Sequence, residues 1–211
     1  MRMPVLTCVF ILIVLIAFSV RKGKDSYARE EASFWDRERR ANSTRKKPID
    51  DLKYIEVPQD LISSELRSAY PEITEYAETL SELSGTQIVN LTGISNTDLK
   101  LKYGTANITS LSVFDQRYTL LVSTLQRIAD VLVVHEDTNA ARRILEYAVS
   151  IGTDVSSTYK LLAFIYASDA DYDSIKALIP KVQALSTPLK DSIIASLNGY
   201  INDANPESSD A

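Results

Sequence analysis

An offset of 34 residues brings two stretches of the C-terminal half into register, and this constrains the fold more than any other feature. Leu125 falls on Tyr159, Ile128 on Leu162, Ala129 on Ala163 and Leu132 on Tyr166. Beyond a turn, Asp137 falls on Asp171, Ala141 on Ile175, Leu145 on Ile179 and Ala148 on Val182. The matches fall where paired helices need them, so each copy reads as a helix–turn–helix unit. Such units bury their apolar faces against one another, which predicts an all-α fold.

In this pattern the chain resembles the tetratricopeptide repeat family over residues 122–189. Each first helix follows the family's large–large–small–aromatic order. Ala129 and Ala163 sit at the small position where paired helices approach closely, and Ala141 and Ala148 fit the small positions of the second helix. Ile175 and Val182 depart from the pattern in the second copy, and its proline is displaced to Pro188. About three units are usually needed for independent stability. Helices before residue 115 and a C-terminal capping helix are therefore expected to supply the missing support. Thr187 is placed as that helix's N-cap with Pro188 at its first position, and Ile193, Ile194, Leu197, Tyr200 and Ile201 form its apolar face. The resemblance implies protein binding through the concave face of the first helices. The family's binding positions fall on Ser123, Gln126, Asp130, Ser157, Lys160 and Phe164, with Phe164 either an apolar contact or a core residue. The paired lysines and asparagines that capture C-terminal carboxylates in chaperone-tail adaptors are missing. The stretches FWDRERRAN and NTDLKLKYG also resemble small membrane-anchored tetratricopeptide-like proteins of Gram-positive bacteria, a resemblance that implies no activity.

Residues 4–20 carry no charge, and as a helix they would rise about 25 Å, at the short end of a membrane span. Ala17-Phe18-Ser19 faintly resembles a cleavage site, but Arg21, Lys22 and Lys24 follow at once, which favours an uncleaved anchor. From Arg21 to Lys47 ten basic residues face five acidic ones; with Arg2, this leaves −11 of the total −5 for residues 48–211. Positive flanks stay cytoplasmic, so the domain is expected in the cytoplasm of a single-pass cell-membrane protein. The sequons at Asn42, Asn90 and Asn107 point the other way if the source is eukaryotic. The acidic domain argues against a nucleic-acid partner.

Residues 24–46 lack Pro and Gly and carry opposite charges at helical spacing, with Asp36–Arg40 on neighbouring turns. They read as a juxtamembrane helix ended by Lys47-Pro48. Phe34 and Trp35 on it are interfacial anchors, a docking site, or residues packed on the domain. Residues 52–57 alternate polar and apolar and read as an extended linker without an obvious pairing strand. Helices are expected over about 71–84, over 96–103 up to Gly104, and over 106–113, with Asp115 capping a long helix after it. The expected divisions are an anchor (1–20), a basic juxtamembrane helix (21–47), a linker with short helices (48–115), a tetratricopeptide-like domain (116–203) and a disordered tail (204–211).

Catalytic patterns are missing: there is no phosphate loop, G-x-S-x-G or H-E-x-x-H. The single cysteine, Cys8, lies in the apolar run, and the single histidine, His135, lies at a turn where it suits a helix C-terminus. Asp169, Asp171 and Asp173 lack the glycine and glutamate of a calcium loop and read as turn caps. No cofactor, metal or small-molecule substrate is implied. The sequence points to a membrane-tethered adaptor with a protein partner, or to an accessory subunit of a membrane complex contacted through the span and the Phe34–Trp35 helix.

Overall fold

The computed structural model describes residues 29–204 together with residues 12 and 27. Nearly all of the expected anchor over 1–20 and of the expected disordered tail lies outside the described residues. Among those described, no helix is long and apolar enough to cross a membrane. The described chain is helical and contains no strand, so the fold is all-α. It divides into two units, one of residues 29–48 and 95–108, the other of residues 49–94 and 109–204.

In the first unit, helix α1 runs over residues 29–43 and α4 over Asn96–Tyr103. The Ser95 hydroxyl caps α4 by accepting from Asp98 N at 3.2 Å, and Gly104 ends it at φ +86°. A Cβ at Gly104 would collide with the Arg45 carbonyl, so glycine is required there for both space and backbone angle. Helix α1 stops earlier than residue 46. The Ser43 and Thr44 hydroxyls turn back onto Arg40 O at 3.0 and 2.9 Å, and the chain then serves as a strap. Lys47 N donates to Tyr103 O, and Thr105 N donates to Thr44 O. Asp36 and Arg40 do pair, at 3.4 Å.

In the second unit, short helix α2 (Ser64–Ala69) precedes α3 (Thr74–Leu83), which a 3-10 turn over Pro71–Ile73 introduces. The extended linker has a partner after all. Tyr54 bridges antiparallel to Val89, and Ile55 N donates to Ile88 O at 2.9 Å. The expected break at Asp115 is absent, because α5 runs unbroken over Ile108–Val134. Asp115 instead accepts Leu91 N at 3.1 Å and so caps a loop distant in sequence. Helices α6 (Thr138–Ser150), α7 (Ser156–Ser168), α8 (Tyr172–Gln183) and α9 (Lys190–Ala204) follow.

The positions paired by the 34-residue offset share their environments. Leu125, Ile128, Ala129 and Leu132 are buried, as are Tyr159, Leu162, Ala163 and Tyr166; only Ile179 among the apolar partners is half-buried. The turns repeat bond for bond. Asp137 N donates to Leu132 O at 2.9 Å, and Asp171 N to Tyr166 O at 2.8 Å. Glu136 and Ala170 hold φ of +61° and +55°, and Asp137 and Asp171 then cap the next helix through Ala140 N and Ser174 N. This is a Schellman turn built twice without glycine. Helix α9 packs on α7 and α8 through buried Ile193 and Leu197. It starts at Lys190 rather than Pro188; Thr187 Oγ1 accepts Leu189 N at 3.3 Å and holds the approach.

Candidate functional site

The first helices of the two repeated pairs are the C-terminal part of α5 and the whole of α7, and their outward residues include the sequence-predicted positions. Ser123, Asp130, Ser157 and Lys160 are exposed. Phe164 is 48% exposed although Leu162, Ala163, Ile165 and Tyr166 around it in sequence are buried. It is therefore a surface aromatic and not a core residue. Gln126 is the exception, at 9% exposure. Its carboxamide oxygen accepts the Thr158 hydroxyl at 2.7 Å, and its nitrogen donates to Asp130 Oδ1 at 2.7 Å. Gln126 thus ties α5 to α7 and orients Asp130, and of the two only Asp130 is exposed. The face offers one aromatic ring, one ammonium and one carboxylate, a set suited to docking polypeptide.

On α1, Phe34 and Trp35 are 54% and 58% exposed. Their rings meet edge to face with centroids 5.3 Å apart. In the same unit Glu38 receives the Thr97 hydroxyl and stands 3.5 Å from the Lys100 ammonium. Those contacts, the hydroxyl first, hold its carboxyl below the usual range.

Two polar clusters at the turns were not foreseen. Arg142 on α6 bonds Glu146 at 2.8 Å and lies 3.8 and 3.7 Å from Asp169 and Asp171. Its guanidinium covers the Tyr166 ring at 4.7 Å, and the Tyr166 hydroxyl donates to Glu146 at 2.8 Å. Burial and the Glu146 bond push the Tyr166 phenol well up, while bonds from Ser174 hold Asp171 down. The Arg142–Glu146 spacing was the only sequence signal. At the preceding turn, the Tyr70 hydroxyl donates to Asp137 Oδ2 at 3.2 Å and the His135 ring lies 5.0 Å from that of Tyr70. Asp171 caps α8 as expected, and Asp173 pairs with Lys176 at 3.1 Å. Among the described residues no group of three or more His, Cys, Asp or Glu could hold a metal. In the first cluster the charges satisfy one another, and in the second Asp137 is satisfied by the Tyr70 hydroxyl and Ala140 N; both arrangements suit bracing a turn.

Two of the three sequons have structural work that a glycan would undo. The Asn90 amide donates to Tyr118 OH at 2.9 Å and to Gly152 O at 3.0 Å. Asn107 is 3% exposed, and its amide donates to Lys47 O and Tyr103 O, both at 2.7 Å. Asn42 is exposed, and its carboxamide oxygen accepts from Lys100. Compared with known protein families, curated proteins and solved structures, the chain matched none.

Proposed function

We propose that this chain is a membrane-tethered protein–protein interaction module. Its N-terminal segment is the anchor, its helical domain is tetratricopeptide-like and cytoplasmic, and a protein partner docks against Phe164, Lys160 and Asp130. The observation that carries the reading is Phe164, an aromatic side chain half out of an otherwise buried stretch of α7. Aromatic residues of this kind concentrate binding energy when a partner desolvates them. Tethering adds to it by raising the local concentration of a membrane-proximal partner. The mutually satisfied turn clusters favour binding over catalysis.

Site-specific photo-crosslinking in the native membrane tests the proposal. A benzophenone side chain at position 164 should give a defined protein adduct. One at exposed Arg143, on the second helix of the first pair, should give none. Equal adducts at both positions, or none at 164, would overturn the assignment of the face. A second reading rests on the exposed Phe34–Trp35 pair, through which the chain would serve as an accessory subunit of a membrane complex. Adducts confined to position 35 would favour it.

A further inference from the structure

Between loop 57–62 and helices α2 and α3 lies a cavity of about 380 Å³. That is within the range of small-ligand pockets, roughly 300–1000 Å³. Its apolar walls come from Val57, Leu61, Ile62, Ala77 and Leu80, and no carboxylate lines it. The charge is supplied by Arg67 on α2, a helix set by the Ser63 cap on Leu66 N. Arg67 is poorly satisfied by its own protein. Its Nη2 reaches Ser81 Oγ only at 3.4 Å, and its Nε is buried without any hydrogen-bond partner. Ser81 gives its own proton to Ala77 O at 3.0 Å, so it can only accept from the guanidinium. A buried donor left unmade destabilises the fold, and more so when it is charged. The Nε is closed even to water, so an anion in the cavity would meet the Nη edge instead, where Nη2 makes just the long Ser81 bond and the planar fork matches a carboxylate.

We propose that the cavity binds a small aliphatic carboxylate. Its headgroup pairs with Arg67, and its chain lies along Val57, Ile62 and Leu80. One cation facing apolar walls fits a monoanion with a hydrocarbon tail better than a phosphate dianion, whose second charge would stay uncompensated. The volume limits the tail to a short chain and leaves no room for an extended peptide. The pocket uses none of the docking residues of α5 and α7, so it stands independently of the adaptor reading.

The test is ligand-observed saturation-transfer NMR on the full chain in lipid nanodiscs, titrated with hexanoate or its neutral analogue 1-hexanol. Empty nanodiscs correct for partitioning into lipid. Hexanoate should bind above that blank and about tenfold or more tighter than 1-hexanol, the factor expected for one charge-assisted pair. Arg67→Met should weaken hexanoate by a similar factor while leaving 1-hexanol unchanged, and Arg67→Lys should fall between. Circular dichroism checks that each variant is folded, and if Arg67→Met is not, the comparison of the two probes on the unaltered chain decides. No hexanoate signal above the blank, equal binding of the two probes, or full hexanoate affinity in Arg67→Met would each overturn the proposal.

Discussion

Three turns in the second unit end a helix with the same two backbone bonds around a left-handed residue, but only one of these uses glycine. Glu136, Gly152 and Ala170 hold φ of +61°, +77° and +55°. A residue with a Cβ in that region costs about 1–2 kcal/mol. Glycine avoids this but gives up roughly 0.5–1 kcal/mol through the freedom of the unfolded chain. Glu136→Gly and Ala170→Gly should therefore each stabilise by about 0.5–1 kcal/mol. Both residues are exposed and neither side chain is needed for the turn, whose bonds are made by backbone. For a chain of this size each substitution raises the thermal midpoint by about 1–4 °C, and the two should add, since they lie in separate turns. Gly152→Ala should move the other way. It forces a Cβ into the left-handed region and places it 3.3 Å from Asn90 Nδ2. The neighbouring cap supplies a contrast of sign, because Asp137→Ala removes the acceptor for Ala140 N and should cost about 1 kcal/mol. The assay is the thermal unfolding midpoint by circular dichroism at 222 nm on the full chain. If Glu136→Gly and Ala170→Gly both lower the midpoint, as glycine does inside a helix, the two turns are not left-handed and the repeat geometry argued from them falls.

Ala163, fully buried in α7, should not accept tryptophan. Ala163→Trp is expected to cost about 1–3 kcal/mol or more by overpacking, and a wild-type melting curve would show the 34-residue register to be wrong. Asn107→Asp should destabilise the first unit, since a carboxylate would face the Lys47 and Tyr103 carbonyls that the amide now satisfies; native-state hydrogen exchange over residues 96–107 reads this directly, and unchanged protection would refute it. The Asp171 carboxyl is held below its usual range in the folded protein, first by bonds from Ser174 and then by Arg142. Its stabilisation is therefore complete above the unfolded value near 4 and is lost as pH falls through the folded value. The midpoint difference between wild type and Asp171→Asn should shrink from about pH 5 to pH 2, and a constant difference would remove the carboxylate from the account.

The register was legible because burial repeats at helical spacing, and a sequence records that spacing directly. Leu125 and Tyr159 occupy one environment despite their different chemistry, and the offset alone finds them. The Asp171 cap was legible for the same local reason, since it acts within three residues of itself, and the structure shows its offset partner Asp137 doing the same. What the sequence withheld lies wherever a residue answers to a distant one. Asp115 has the chemistry of a helix start, yet it spends its carboxylate on Leu91 N, and α5 passes through it unbroken. Gln126 stands one repeat before Lys160, so periodicity gives both one role. Thr158 covers Gln126 and leaves Lys160 in solvent. The partner of Tyr54 was hidden because a single bridge at Val89 needs no alternating strand around it. Glutamate and alanine carry no mark of a positive φ, so Glu136 and Ala170 could be found only from their hydrogen bonds. Arg67 is the extreme case. On a six-residue helix it has no periodic neighbours to give it meaning. Its unmade Nε bond arises from how a loop and two helices close around it. A repeat is thus read from spacing, whereas a binding site is read from which polar groups the packing fails to satisfy.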